Sequence, residues 1–526
     1  MKRFFKKLFS RFSVVALTII IMFVVDFLVA TGVIIFLDRV LVYFFPDADP
    51  YITWGLRVLQ WLITFVAVLH CANRDMIPET KIPWLLCILL LNIFGVSIYI
   101  TFSSSRPLRR QNKAFNNLRE HIISFEPDAE EQTRLREGMG EWADESAALT
   151  AMNRSAAVYT NTKTEYFPLG EKFAERFIED LENAKEYIFL EYFIIGRGKF
   201  WNAVLDILKR KVQEGVEVRL IYDDIGSMSK VRVDYHKILR KYGIQCFKFN
   251  PFLPVVSNVH NFRDHRKMAI IDGKVGYTGG LNLADEYVNI DSPYGHWKDT
   301  AVRLEGEGVK GLLFMFLTMF NMQRKGTEDF SAYVPESYET FEGEGYVQPY
   351  GDGPSPMYDR HVGEDVYINI LNGAKKYVYI TTPYLIIDYR MREALVLAAE
   401  RGVDVRIITP HIPDKKIAFA LTRSNYMALI KGGIKVYEYT PGFIHAKSFL
   451  CDDEVGVVGT INLDYRSLMH HFENAVLMYK TKALQELKAD MEQTFEQSKL
   501  QTQEDAKKSV VWRGLCELAK IFAPLF

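Results

Sequence analysis

The 526-residue chain carries one chemistry-bearing pattern twice. His265-Arg266-Lys267 is followed by Asp272 and then by Gly279-Gly280-Leu281-Asn282. His445-Ala446-Lys447 is followed by Asp452 and then by Gly459-Thr460-Ile461-Asn462. Both copies read H-x-K-x4-D-x6-G-(G/T)-x-N. Residues two apart on a strand point to one face, so each histidine shares a face with its lysine. Two imidazoles, two ammonium groups and two amides suit one phosphodiester. One histidine can attack phosphorus and form a phosphohistidine. The other can protonate the leaving oxygen and later deprotonate the incoming one. Lys267, Lys447, Asn282 and Asn462 would hold the non-bridging oxygens and the developing pentacoordinate anion. The scheme calls for no metal and no cofactor.

A catalytic imidazole needs an acceptor on its far ring nitrogen. Asp299 and Glu473 follow His265 and His445 by 34 and 28 residues, and are the candidates to orient them. Asp272-Gly273 and Asp452-Asp453 are turn signals, so a turn role is favoured for both aspartates. As parts of both copies they stay among the catalytic candidates with His265, Lys267, His445 and Lys447. His296, His470 and His471 lack metal-ligand spacing and read as structural.

The elements that position these groups are themselves repeated. Residues 183–190 match 373–380, residues 214–221 match 401–408, and residues 242–244 match 432–434. Each half reads strand, helix, strand, helix, strand, then the motif. This predicts an α/β fold of duplicated domains with mixed, largely parallel sheets about a pseudo-twofold axis. A repeat of about 180 residues is a domain duplication, not a solenoid. The expected organisation is a membrane region at 1–103, a charged connector at 104–160, catalytic domains at 161–340 and 341–500, and an amphipathic tail at 501–526.

Three apolar runs lie at 14–37, 54–72 and 83–102, each near the ~20 residues that cross a bilayer. Basic residues flank both ends of this region, at 1–11 and at Arg106, Arg109, Arg110 and Lys113. The positive-inside rule wants both clusters on the cytoplasmic side, which three full spans would forbid. Two spans with one interfacial run satisfy it, and the run holding Arg57 and Gln60 is the expected interfacial one. Near the end, Val510, Val511, Trp512, Leu515, Leu518, Ile521 and Phe522 recur at helical spacing. That helix either lies in a lipid interface or packs on the body. Five scattered cysteines with no C-x-x-C pair suit a reducing compartment. The basic residues of the body are mixed with acids, which argues against a nucleic-acid groove.

The paired H-x-K-x4-D motif is the signature of the phospholipase D superfamily. The stretches 222–226, 265–282, 295–299, 348–354 and 445–473 resemble the bacterial cardiolipin synthases more specifically, from about residue 84 onward. The resemblance implies transfer of a phosphatidyl group between two phosphatidylglycerol molecules, with release of glycerol. It implies membrane lipids as partners, a multi-pass protein of the bacterial cell membrane, His265 as nucleophile and His445 as acid/base; Arg106, Arg109 and Arg110 are what put the catalytic body on the cytoplasmic side. The same residues could instead hand the phosphatidyl group to water, giving phosphatidic acid.

Overall fold

The computed structural model describes residues 49–103, 106–123, 128–153, 155–252, 261–324, 328–507 and 509–525, with isolated positions elsewhere. It divides into two compact units, one of residues 108–251 and 262–516, the other of residues 1–107, 252–261 and 517–526.

The larger unit is a duplicated α/β body. The first half holds strands Thr162–Phe167 (β1), Tyr187–Tyr192 (β2), Glu217–Asp223 (β3), Gln245–Phe249 (β4), Lys267–Ile271 (β5), Val275–Gly279 (β6), His296–Lys298 (β7) and Ala301–Gly306 (β8). The second holds Tyr346–Asp352 (β9), Tyr377–Thr381 (β10), Leu385–Ile386 (β11), Asp404–Pro410 (β12), Lys435–Tyr439 (β13), Gly442–Ile444 (β14), Ser448–Cys451 (β15), Val455–Gly459 (β16), Leu463–Asp464 (β17), Glu473–Tyr479 (β18) and Ser498–Leu500 (β19). One sheet runs β1-β8-β6-β5-β2-β3-β4; the other runs β9-β18-β16-β15-β10-β12-β13, with β19 added at its edge. The two orders are equivalent strand for strand. In each, helix-linked strands pair in parallel, as β2 with β3 and β10 with β12. The motif hairpin then joins antiparallel, as β5 on β2 and β15 on β10. Burial on both faces explains why β2, β5, β15 and β18 are buried throughout.

The charged stretch before β1 is helical at Arg106–Ile123, Ala129–Glu137 and Ala143–Met152. It is tied to the second sheet, where Ser146 Oγ donates to Gln348 Oε1 at 2.8 Å and Trp142 is buried. Near the end, the helix Val510–Phe522 buries Cys516 against the Ala420 carbonyl, while Val510, Val511, Leu515 and Leu518 stay exposed. Cys516 is where the first part of that helix meets the body.

The smaller unit holds the second and third apolar runs. The first run lies almost wholly outside the described residues. The second forms a continuous helix, Asp49–Asn73, of spanning length and apolarity. The third, Pro78–Phe102, is also long and apolar enough by composition, but its backbone turns at Asn92 (φ 52°, ψ −126°). Gly95 abuts the backbone of Cys87, and the rings of Trp84 and Tyr99 are 5.6 Å apart. In a straight helix, residues fifteen apart would be separated by about 22 Å. The run is therefore a helical hairpin. Thr64 Oγ donates to Asn92 Oδ1 at 2.6 Å at its tip, and His70 Nδ1 lies 2.8 Å from the Tyr99 hydroxyl near its base. Thr64 is close to the middle of its own helix, so the hairpin reaches about halfway along it. Its arms are about 20 and 15 Å long, short of the ~30 Å hydrocarbon core. Neither arm by itself has the length of a crossing, whereas Asp49–Asn73 does.

Candidate active site

Each motif histidine sits at the doorstep of a motif strand, anchored across the duplication. The His265 amide donates to the Phe472 carbonyl at 2.9 Å, and the His445 amide to the Lys298 carbonyl at 2.7 Å. Phe472 and Lys298 directly precede Glu473 and Asp299. Each half thereby delivers its carboxylate to the other half's histidine. His265 Nδ1 lies 2.8 Å from Glu473 Oε1, and His445 Nδ1 lies 2.7 Å from Asp299 Oδ2. Reciprocal contacts of this kind are what a twofold-related pair of surfaces makes. Proximity in sequence suggested pairing within each half; the structure crosses the pairs.

With Nδ1 held, Nε2 of each ring is the nitrogen left for chemistry. Both histidines are 7% exposed, and Lys267 and Lys447 are 1% exposed. Lys267 Nζ donates to the His265 carbonyl at 2.5 Å; Lys447 Nζ donates to the His445 carbonyl and lies 2.8 Å from His445 Nδ1. Burial, seconded by Lys267, drives His265 well below the ordinary histidine value, and Lys447 and His445 also act on it. Burial and then Lys447 bring His445 to about 4, against the pull of Asp299. Burial lowers Lys267 to about 8 and Lys447 to about 7, with Glu473 and Asp299 opposing in both. These groups thus form one electrostatic cluster drawn from both halves.

The carboxylates differ. Burial pushes Glu473 up to about 8, only partly offset by Lys267 and by bonds from Thr460 and Ser467. Burial also pushes Asp299 upward, but His445, Lys447 and the Thr300 amide outweigh it and hold Asp299 below its ordinary value. Gly280 is required by this arrangement, because a Cβ there would collide with the Asp299 carboxylate. The matching residue of the second copy, Thr460, instead donates its hydroxyl to Glu473.

The other candidates divide. Asn282 and Asn462 are both buried beside the motif strands. Asn282 Oδ1 accepts from the Ile194 amide at 2.9 Å, while Asn462 Oδ1 has no partner among the described residues. Asp272 and Asp452 are not brought to the histidines, which corrects their place among the catalytic candidates. Asp272 adopts φ 52° and accepts the amides of Lys185, Glu186 and Tyr187 at 2.8–2.9 Å. Asp452 adopts φ 54° and accepts those of Lys375, Lys376 and Tyr377 at 2.7–2.8 Å. They stand at the far ends of the motif strands and clamp each hairpin to the strand beside it.

Sequence reasoning passed over His471. Its ring lies 5.4 Å from that of His265, and its Nδ1 is 3.8 Å from Glu473 Oε1. His265, His471 and Glu473 place one ligand-type atom each within 4.8 Å of one another, so these three could hold a cation. The His265–Glu473 hydrogen bond already occupies one nitrogen and one oxygen of that set. Adjacency to Glu473 was the available signal, and it was masked by the neighbouring His470.

The chain was compared with known proteins. The family model "Cardiolipin synthase, PLD-like domain" matches residues 177–292 and 367–495, and "Phospholipase_D-nuclease N-terminal" matches residues 62–103. The chain is 46% identical to an uncharacterised protein of Streptococcus mutans, over 87% of this chain and 99% of that one. It is 32% identical to a cardiolipin synthase of a Geobacillus species, over 94% of this chain and 99% of that one. It is 33% identical to cardiolipin synthase 1 of Staphylococcus epidermidis, over 88% and 95%. Among solved structures, phosphatidylserine synthase of Haemophilus influenzae shares the fold, with a TM-score of 0.56 at 15% identity over 72% of this chain and 97% of that one. Held to relatives of this identity along nearly its whole length, the chain belongs to the cardiolipin synthase family and is a phosphatidyltransferase.

Proposed function

We propose that the enzyme moves a phosphatidyl group from one phosphatidylglycerol to the terminal hydroxyl of a second, giving cardiolipin and free glycerol. The observation that carries this is the crossed pair of carboxylate-held imidazoles, each beside a buried lysine. His265 Nε2 attacks the donor phosphorus while the P–O bond to glycerol breaks. His445, as imidazolium, gives the leaving oxygen its proton. The terminal hydroxyl of the acceptor then yields its proton to His445 and attacks phosphorus, and the N–P bond breaks. Lys267, Lys447, Asn282 and Asn462 bind the phosphoryl oxygens and stabilise the charge that develops on them. His265 suits the nucleophile because its surroundings keep it neutral. His445 is the better placed of the two to act as the acid, because an ionised Asp299 opposes the lowering that burial and Lys447 impose on it. One phosphodiester replaces another, so the step needs no nucleotide.

The membrane arrangement belongs to the same proposal. Two crossings, at 14–37 and Asp49–Asn73, with Pro78–Phe102 as a re-entrant hairpin, put both basic clusters on the cytoplasmic side. The catalytic body follows the second cluster in the chain and is assigned to that side. The limits 1–103, 104–160, 161–340, 341–500 and 501–526 are kept as the proposed division.

The test uses purified full-length protein in phosphatidylglycerol vesicles, without added nucleotide or metal. Cardiolipin and glycerol in equal amounts are expected. Phosphatidic acid as the only lipid product would establish hydrolysis in place of transfer.

A further inference from the structure

The transfer reaction brings two phosphodiesters together, and the groups assigned so far bind one. Three carbons separate the attacking hydroxyl from the acceptor's own phosphate. That second anion must therefore lie within one glycerol length of the scissile phosphorus. The second half of the body offers two side chains for it that differ in type from their counterparts in the first half.

Arg466 follows Asn462 by four residues, on the short helix Tyr465–Met469. Its side chain is exposed and makes no hydrogen bond or ion pair among the described residues. Protein nevertheless surrounds it closely enough that desolvation pulls its pKa below the ordinary arginine value. Its charged neighbours are engaged elsewhere. Asp464 accepts from the Ser467 amide at 2.9 Å, and Arg263 is paired with Asp223 at 2.7 Å. The matching position of the first half, four residues after Asn282, is Glu286, which is paired with Lys230 at 2.7 Å.

His471 stands on the same turn. The amides of His470 and His471 both donate to the Arg466 carbonyl, at 3.0 and 2.9 Å. The His471 side chain is more than nine-tenths buried, yet neither ring nitrogen has a hydrogen-bond partner among the described residues. A buried imidazole without partners loses the hydrogen bonds it would make in water, so a ligand that supplies them is favoured there. Two residues before the orienting carboxylate, the first half has Trp297. The Trp297 and His445 rings are 5.4 Å apart at 44°, and those of His471 and His265 are 5.4 Å apart at 45°. The geometry is conserved across the duplication: the first half places an indole there, whose Nε1 donor is also unpartnered among the described residues, and the second half an imidazole, whose nitrogens can either donate or accept. Of the charges that act on His471, Arg466 is the strongest, and Lys267 of the catalytic cluster is among them.

We infer that Arg466 and His471 form an anion subsite beside His265 that receives the phosphodiester of the acceptor lipid. The guanidinium offers a planar fork matched to two phosphate oxygens, and the imidazole offers one donor. The inference rests on the transfer reading above and names what makes the second lipid a better acceptor than water or a free alcohol.

The experiment compares two reactions of the full-length enzyme in phosphatidylglycerol vesicles. One is cardiolipin formation. The other is exchange of labelled free glycerol into phosphatidylglycerol, which passes through the same intermediate but uses an acceptor with no phosphate. Arg466→Gln is expected to lower the ratio of the first rate to the second at least tenfold. Arg466→Lys should fall between Gln and wild type, and His471→Gln should lower the ratio by a smaller factor. A ratio equal to that of wild type in Arg466→Gln, whether both rates hold or both fall together, overturns the subsite. Failure of the underlying reading is separately visible, because wild-type enzyme would then make no cardiolipin in either arm.

Discussion

The two halves of the body share a skeleton and differ in what surrounds it. Around His445 the neighbours are Trp297, Tyr287 and Phe443, with ring centroids 5.4–5.9 Å away. Around His265 they are Phe193 and His471, above a buried charge cluster of Glu191, Asp264 and Arg266. The register equivalents of those three are Thr381, Ile444 and Ala446. Burial lifts Glu191 well above its ordinary value, with Asp264 adding to it, and burial brings Asp264 to about 6. Duplication thus supplies two equivalent imidazoles, and divergence of their neighbours gives them different electrostatic surroundings. The proposed transfer needs a neutral nucleophile and a protonated acid, and the difference between these surroundings is what bears on which histidine serves as which.

The largest expected effect tests whether the roles are separate at all. His265→Ala and His445→Ala should each lower turnover by at least about 10⁴-fold, because they act as a unit. Rapid acid-free quenching followed by peptide mass spectrometry should then find the phosphatidyl adduct of wild-type enzyme on His265. An adduct on His445 would invert the assignment while leaving the crossed geometry intact.

The carboxylates sharpen the comparison. Asp299→Asn removes a charge and should cost about 10²–10⁴-fold in rate, whereas Glu473→Gln imitates a group already held protonated and should cost about tenfold. Their pH signatures should run in opposite directions. The folded value of Glu473, about 8, lies above its ordinary 4.5. Its contribution to stability is present in acid and is lost as pH rises from about 4.5 to 8. Relative to wild type, Glu473→Gln should therefore gain thermal stability between pH 5 and pH 8. Asp299 is depressed below 3.8, so its contribution is full above that pH and is lost only in stronger acid. Asp299→Asn should be less stable than wild type throughout pH 5 to 8, by a constant amount. Parallel melting curves for the two variants would show that the carboxylates are equivalent after all.

How much of this was legible in the chain depends on whether the information is local. The motif spacing placed His265, Lys267, His445 and Lys447, because i,i+2 on a strand fixes a shared face. Asp299 and Glu473 were found as acids near the histidines, but their exchange between halves depends on β7 pairing with β14 and Asp264 bridging to Phe472, contacts that no spacing encodes. Hydropathy found the apolar run at 83–102 and not its reversal. A single residue, Asn92, makes the turn, and an asparagine in an apolar run gives hydropathy no reason to expect one. His471 was dismissed for want of metal-ligand spacing, though its significance comes from equivalence with Trp297.

The smallest expected effect on catalysis comes from the part of the motif that recurs most faithfully. Asp272 and Asp452 each accept three backbone amides of the strand beside their hairpin. Charge-assisted bonds of this type are each worth roughly 1.5–3 kcal/mol, but the three share one carboxylate and removal leaves surface-near amides that water can reach. Asp272→Ala and Asp452→Ala should therefore each lose about 2–4 kcal/mol in urea unfolding of the catalytic body. Turnover per folded molecule should stay within about threefold of wild type, since neither side chain reaches the phosphoryl group and general acid–base roles are worth at least ~10². The two should also be unequal. Copy one follows its aspartate with Gly273 at φ 64°, while copy two places Asp453 at φ 65°. A non-glycine residue in the left-handed region adds strain that the carboxylate clamp must hold down. Loss of the clamp in copy two should accordingly be the more destabilising of the pair. A turnover loss of 10²-fold or more in folded Asp452→Ala would return these aspartates to the chemistry and break the division between turn and site.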